Sequence, residues 1–116
     1  MKKKLRIKLI GSSFKDEYTL EGDVTDNYIS YIDNSLCLMK IDLIKKIILR
    51  ENSEYIIEYD LEKELGNILL KEENKKINLN IKTKQFLNDG KKIIIEYIVN
   101  DVEEVLLEIG EEDEYN

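Results

Sequence analysis

Hydrophobic and polar residues alternate along much of this chain. Apolar residues occupy every second position from Leu5 to Leu9, and the stretch from Glu17 to Gly22 repeats the alternation. Successive side chains of a β-strand point to opposite faces of a sheet, so a period of two is typical of strands with one buried face. The pattern therefore predicts two half-buried strands near the N-terminus.

The rest of the chain continues in short β-forming segments. Alternating or β-branched and aromatic runs predict further strands over 28–32, 37–42, 47–50, 54–59, 77–82, 92–99 and 102–109. Turn-forming residues separate several of them. The clearest is Asn88-Asp89-Gly90, which indicates a hairpin because glycine accepts a positive φ without steric cost.

Two stretches fit a helix as well as a strand. Near residues 60–71 Asp60 could cap a short helix, although Gly66 would be unfavourable in its interior. The apolar residues of this stretch recur at helical spacing: Leu61, Leu65, Ile68 and Leu69. Residues 36–49 are apolar enough that the pattern alone does not exclude a buried helix there.

Composition limits the chain to one core. Its 116 residues are 42% hydrophobic and 37% charged, which suits a single domain with a densely charged surface. We expect this domain to span residues 1–110 and an acidic, flexible tail to occupy 111–116. Oppositely charged segments near the two termini could lie side by side if the strands close into a barrel.

The charge also bears on partners. A net charge of −7 argues against nonspecific nucleic-acid binding, and the lysine-rich stretch from Lys71 to Lys92 is typical of a solvated strand face. No segment approaches the roughly 20 apolar residues of a membrane span, and Arg6 and Lys8 interrupt what could otherwise begin a signal peptide. The single cysteine suits a reducing compartment. These features predict a cytoplasmic protein without a membrane partner.

Several chemistries are missing from the sequence. With no histidine and one cysteine, the chain has no histidine-based catalytic triad and no ordinary zinc site. No phosphate-binding glycine loop is present. We therefore predict no catalytic residues, no metal and no cofactor. Cys37 is expected to be a small buried hydrophobe, since a reactive thiol would need a nearby cation and only Lys40 is close in sequence.

Tyrosine is the most informative side chain that remains. Six of the seven tyrosines fall in predicted strands: Tyr18, Tyr28, Tyr31, Tyr55, Tyr59 and Tyr97. A tyrosine combines a large apolar ring with a polar tip, so such residues suit either the core of a barrel or the wall of a ligand cavity. Both interpretations stay open.

The order of three segments resembles a known family. Ile47 to Arg50, Ile77 to Lys84 and Gly90 to Tyr97 together resemble the YwiB-like family of bacterial proteins, a domain of unknown function. That family has a calycin-like, or lipocalin-like, antiparallel β-barrel. The resemblance therefore implies an all-β fold, a single antiparallel barrel of about 8–10 strands, and favours strands over a helix for residues 36–49.

The resemblance also marks individual residues. Arg50 matches an arginine that follows an apolar strand in the family, although Asn52 stands where a glycine is expected. Lys82 and Thr83 match a Lys-Thr pair, and Tyr97 matches a strand tyrosine. The family has no established function, so the resemblance implies a fold rather than an activity.

Two functions follow as hypotheses. The first is a noncatalytic barrel that binds a small apolar or amphipathic molecule through Arg50, Tyr31, Tyr59, Thr83 and Tyr97, with Arg50 either orienting an anionic group or forming an ion pair that helps close the barrel. The second is an interaction module that forms a homodimer or binds a protein partner through an exposed strand edge.

Overall fold

Ten antiparallel strands close into one barrel in the computed structural model of this protein, which describes residues 1–112. The strands are β1 (Lys2–Gly11), β2 (Lys15–Val24), β3 (Tyr28–Ile32), β4 (Leu38–Asp42), β5 (Ile47–Glu51), β6 (Tyr55–Asp60), β7 (Leu65–Leu70), β8 (Lys75–Asn88), β9 (Lys92–Val99) and β10 (Glu103–Glu111). The predicted all-β antiparallel barrel is confirmed. Within 1–112 there is no helix with the length and apolar character needed to cross a membrane.

The connections define two ends of the barrel. Each strand pairs with its neighbours in sequence, and β1 also pairs with β10, so the chain runs up and down around the barrel. Turns after odd-numbered strands lie at one end, called here the Phe14 end. Turns after even-numbered strands lie at the other, called the Met1 end. Asn88-Asp89-Gly90 joins β8 to β9 at the Met1 end, as predicted, with Gly90 at a φ of 92°.

The basic N-terminal strand lies beside the acidic C-terminal strand, which confirms the expectation for a closed barrel. Lys3 Nζ is 2.7 Å from a Glu111 oxygen and Arg6 Nε is 3.3 Å from a Glu112 oxygen. The backbone N–H of Glu112 donates to the Lys4 carbonyl at 2.8 Å. Exposed pairs of this kind contribute only about 0–1 kcal/mol each. The remainder of the predicted tail, 113–116, lies outside the described residues.

The helix considered for residues 60–71 is not formed, so that alternative is wrong. Asp60 Oδ1 accepts hydrogen bonds from the N–H groups of Glu62 and Lys63 at 3.2 and 3.0 Å, as a helix N-cap would. The chain then reverses at Glu64, whose φ is 59°, and continues as β7 antiparallel to β6. The capping signal was therefore real, but it belongs to a hairpin turn.

The β4–β5 hairpin uses the same turn. Asp42 Oδ1 accepts from the N–H groups of Ile44 and Lys45 at 2.9 and 2.8 Å, and Lys46 has a φ of 60°. The helix considered for residues 36–49 is accordingly replaced by strands β4 and β5. In the β6–β7 turn Leu61 is buried in the barrel, which explains the apolar spacing that resembled a helix face.

Aliphatic side chains fill the centre of the barrel and line its Met1 end. Buried residues from most strands form one cluster there, including Leu5, Ile7, Ile29, Ile41, Ile81, Ile93, Ile95, Leu107 and Ile109. Toward the Phe14 end the inward positions change character. They hold tyrosines, a methionine and the charged residues Asp33, Arg50 and Glu103, so the interior is apolar at one end and partly polar at the other.

The barrel wall is incomplete between β2 and β3. Backbone pairing of these strands is confined to Asp23 with Ser30 and Val24 with Ile29, whereas β1 and β2 pair from Lys2 to Ile10. The unpaired stretch, called here the β2–β3 seam, runs along residues 15–21 of β2 at the Phe14 end. A side-chain hydrogen bond of 2.6 Å from Asn34 Nδ2 to Asp16 Oδ2 bridges it.

Candidate functional site

A cavity of about 260 Å³ occupies the barrel at its Phe14 end. Its wall draws on eight strands and two turns, because inward positions of β1, β2, β3, β4, β5, β6, β9 and β10 converge there. The apolar part includes Leu9, Met39, Ile57 and Val99. Phe14 lines the cavity and is 45% exposed, so it stands at the rim.

Arg50 and Asp33 form a charged pair in this wall. Arg50 Nε lies 3.3 Å from Asp33 Oδ2, and the Asp33 side chain is 8% exposed while that of Arg50 is 35% exposed. The contact does not meet the geometry of a hydrogen bond: among residues 1–112, Arg50 Nε is the one fully enclosed side-chain nitrogen or oxygen without a hydrogen-bond partner. The pair is therefore ionic, and it leaves guanidinium donors unused.

Asp33 is held in place by its own turn. Its Oδ1 accepts hydrogen bonds from the backbone N–H groups of Ser35 and Cys37 at 2.9 and 3.0 Å. Carboxylates at the start of a turn commonly bond the backbone two or more residues later, which is why this residue type occurs there. The turn thus fixes one carboxylate oxygen and presents the other to Arg50.

Four tyrosines line the cavity together with Arg50: Tyr18, Tyr31, Tyr59 and Tyr97. Tyr59 and Tyr97 pack with their ring centroids 5.2 Å apart and their planes tilted by 50°, an arrangement favoured by the aromatic quadrupole. None of the hydrogen bonds made within residues 1–112 uses the hydroxyl of Tyr31, Tyr59 or Tyr97, and none of these oxygens is fully enclosed. These three hydroxyls therefore face the cavity as available donors.

The surroundings keep the tyrosines neutral. Burial, followed by the nearby charges of Asp33 and Asp16, raises the pKa of Tyr18 to about 12. Burial also raises the pKa of Tyr31, Tyr59 and Tyr97 above the usual value, while Arg50 acts in the opposite direction on each. Burial is the largest influence on the pKa of Arg50 and lowers it, but Asp33, Tyr55 and Cys37 together outweigh burial, so the pKa is raised. The cavity wall thus holds the guanidinium of Arg50, the carboxyl groups of Asp33 and Glu103, and tyrosine hydroxyls that stay protonated near neutral pH.

The structure brings four of the five predicted ligand-binding residues together. Arg50, Tyr31, Tyr59 and Tyr97 all line the cavity. Thr83 pairs with Tyr97 across β8 and β9, but its Oγ1 donates to the Leu61 carbonyl at 2.6 Å and it does not line the cavity. Tyr31 and Tyr97 are also part of the buried core. The two interpretations of the tyrosines, core and cavity wall, therefore apply to the same residues.

Sequence reasoning omitted Tyr18 and Asp33 from the site. Tyr18 shares the inward face of β2 with Leu20 and Gly22, so the alternation already placed it inside. Asp33 looked like an ordinary turn residue, and only the structure places it beside Arg50. No signal in the sequence links Asp33 with Arg50, because Asp33 lies in the turn after β3 and Arg50 lies on β5, which is not a neighbour of β3.

Cys37 and the Met1 end of the barrel are weaker candidates for a functional site. Cys37 is 2% exposed, as predicted, with its sulfur 3.6 Å from Asn52 Nδ2. A second hollow of about 490 Å³ lies at the Met1 end, where Lys3 is already paired with Glu111. Residues 1–112 contain no group of three cysteine or acidic side chains placed to hold a metal ion. The Phe14-end cavity is the better candidate site because it contains unused donors.

Comparisons with known proteins bear on the architecture. No protein-family model and no curated protein matches the sequence. A crystal structure of the YwiB protein from Bacillus subtilis matches the fold with a TM-score of 0.58 and 16% sequence identity, over 96% of this chain and 90% of that one. At this identity the likeness extends to the fold alone, and the chain shares the overall fold of the YwiB protein.

Proposed function

We propose that this chain is a YwiB-like, lipocalin-like barrel that binds a small apolar or amphipathic molecule and does not catalyse its conversion. The observation that carries the proposal is the cavity of about 260 Å³, whose apolar wall holds an arginine nitrogen without a hydrogen-bond partner. Buried polar groups without partners are costly in a folded protein. Nε itself is enclosed, but the Arg50 side chain as a whole is 35% exposed, so a ligand can offer an acceptor to the rest of the guanidinium group.

The surroundings of the cavity agree with binding rather than catalysis. The tyrosines have raised pKa values and stay protonated, so they serve as donors and not as bases near neutral pH. The single, buried cysteine supports a reducing location such as the cytoplasm of a bacterium.

Binding can be tested with a pair of matched variants. Val99 lines the cavity, whereas Val102 is 78% exposed on the β9–β10 turn. We expect ligand-observed NMR with a panel of monocyclic and short-chain compounds to detect binders of the unmodified protein. Val99→Phe should abolish their binding by filling the cavity, and Val102→Phe should not. A panel without binders, or binding that survives Val99→Phe, would contradict the proposal.

A second candidate function is pairing with an extended segment of another protein. The β2–β3 seam favours it, because residues 15–21 of β2 have no backbone partner on the β3 side and exposed strand edges invite pairing. Lys15, Glu17 and Glu21 are charged residues of the kind that discourage such pairing, so we rank this function second. Sedimentation velocity over a wide concentration range would show a homodimer if β2 pairs with a second copy.

A further inference from the structure

A row of inward side chains runs from the cavity onto the β7–β8 hairpin. Residues that pair directly across antiparallel strands present their side chains on the same face of the sheet. The register places six such residues in line across β3 to β8: Tyr31, Met39, Arg50, Ile57, Ile68 and Ile77. The first four line the cavity, whereas Ile68 and Ile77 lie beyond its lining. The inner face of the cavity wall therefore continues past the cavity.

The β7–β8 hairpin extends beyond the neighbouring wall of the barrel. β8 pairs with β9 from Ile81 onward, and the β9–β10 turn begins beside Asn80, where the Asn100 N–H donates to the Asn80 carbonyl at 2.7 Å. Among the strands of residues 1–112, residues 75–79 pair with β7 alone. That stretch of strand is about 16 Å long. The hairpin therefore projects at the Phe14 end, and the molecule is 46 Å long and 29 Å across.

The part of the row that crosses this hairpin is apolar and partly uncovered. Ile57 pairs with Ile68, and Ile68 pairs with Ile77, so three isoleucines lie side by side on adjacent strands. Ile57 and Ile68 are half-buried, and Ile77 is 39% exposed. These three residues are called here the isoleucine ledge. It spans two strand spacings, or about 10 Å, and contiguous exposed apolar surface of this kind is typical of binding grooves.

Two occupants fit the ledge: a strand of another protein, or an apolar part of the ligand. A strand would pair with the free edge of β8, but Lys75 and Lys76 lie on that edge, and edge lysines discourage such pairing. The ligand is favoured because Ile57 belongs to both the ledge and the cavity wall. A cavity of about 260 Å³ holds about ten non-hydrogen atoms, on the scale that 150 Å³ holds benzene. A longer chain must leave the cavity, and the ledge offers it an apolar surface.

We infer that the ligands are linear amphiphiles whose single alkyl chain begins in the cavity and continues across the isoleucine ledge. This inference rests on the proposed binding function and narrows it from any small apolar body to an extended chain. It concerns the shape of the ligand rather than its charge, because the cavity wall carries groups of both signs: Arg50, Asp33 and Glu103.

Two alcohols with equal numbers of carbon atoms test the shape: 1-decanol, which is linear, and 1-adamantanol, which is compact. NMR titration of the unmodified protein should detect binding of both. Nuclear Overhauser effects should connect the decanol chain with the methyl groups of Ile68 and Ile77, and should connect adamantanol with cavity residues such as Val99. Decanol bound without contacts to Ile68 and Ile77, or adamantanol in equal contact with them, would overturn the inference.

Two isoleucines provide matched variants. Ile77→Thr should lower decanol affinity about fivefold, because it removes part of the apolar ledge, and should leave adamantanol affinity unchanged. Ile44→Thr should change neither, because Ile44 is 68% exposed in the β4–β5 turn at the Met1 end. An equal loss of affinity for both alcohols in Ile77→Thr, or no loss for decanol, would contradict the inference. If decanol does not bind, the extended chain is wrong, and adamantanol and the wider panel then decide whether the cavity binds anything.

Discussion

Arg50 Nε lies 3.3 Å from Asp33 Oδ2 without donating a hydrogen bond to it. The same aspartate uses its other oxygen to accept two backbone hydrogen bonds in the β3–β4 turn. Asp33 therefore has two separable roles, one in the turn and one in the electrostatics of the cavity. Neither role requires the other, so two different substitutions of Asp33 can separate them.

Asp33→Asn and Asp33→Ala should differ in their effect on stability. Asparagine keeps an oxygen for the N–H groups of Ser35 and Cys37 but removes the charge beside Arg50, so we expect a loss of about 1 kcal/mol. The Arg50 side chain is 35% exposed, and solvent limits the cost of leaving it unpaired. Alanine also removes both turn hydrogen bonds and should cost about 2–4 kcal/mol. Urea unfolding measures both, and equal losses would show that the turn bonds contribute little.

Gly66 is required by the ring of Tyr59 on the neighbouring strand. A Cβ at Gly66 would lie 3.1 Å from Tyr59 Cδ1, 3.1 Å from the Glu58 carbonyl oxygen and 3.2 Å from Ile81 Cγ1. Gly66→Ala should therefore cost about 1–3 kcal/mol, the usual penalty of overpacking, and shift Tyr59 within the cavity wall. Gly110→Ala is the matched control, because nothing lies within 4 Å of a Cβ there. Thermal unfolding of the two variants should separate them clearly, and similar melting temperatures would contradict this account.

The strand pattern was readable from the sequence wherever one face of a strand is buried. The buried Leu5 and Ile7 alternate with the exposed Lys4 and Arg6, so the alternation reports the fold directly. The exception was β7, where the buried turn residue Leu61 fell at helical spacing from Leu65, Ile68 and Leu69 by coincidence. Single-sequence patterns do not distinguish a turn leucine from a helix leucine, since both are buried.

The cavity was only partly predictable. Tyrosines in strands indicated a wall of mixed character, and Arg50 stood out as the arginine outside the N-terminal strand. Its pairing with Asp33 depends on the register of β3, β4 and β5, which brings the β3–β4 turn beside the end of β5. The place where the interior stays empty depends on side-chain volumes summed around the barrel, and no local pattern encodes that sum.

The β2–β3 seam should show in hydrogen exchange. The Val24 N–H bonds to the Met1 carbonyl on the β1 side, and N–H groups alternate in direction along a strand. Those of Glu17, Thr19 and Glu21 therefore point toward β3, where the backbone pairing has ended. We expect these amides to exchange at least about tenfold faster than those of Tyr18 and Leu20 on the same strand, measured by NMR. Equal protection of Thr19 and Leu20 would mean that the seam is closed in solution.

Alkaline pH should destabilise the protein through its buried tyrosines. Burial raises the pKa of Tyr31 and Tyr97, so above about pH 10 the unfolded chain loses protons that the folded chain retains. The free energy of unfolding then falls with rising pH, by about 1.4 kcal/mol per pH unit for each such tyrosine. This stabilising contribution is complete below the unfolded pKa and is lost as pH rises toward the folded one.

Two Tyr→Phe variants separate the effect of a buried tyrosine from the general charge repulsion that grows within an acidic chain at high pH. Tyr97→Phe should make the decline between about pH 10 and pH 11 shallower by about 1.4 kcal/mol per pH unit. Tyr28→Phe should leave it unchanged, because Tyr28 is 44% exposed. Urea unfolding at successive pH values gives both slopes. If Tyr97→Phe declines as steeply as Tyr28→Phe, the Tyr97 hydroxyl is hydrated through the cavity in the folded protein, and its burial does not control stability at high pH.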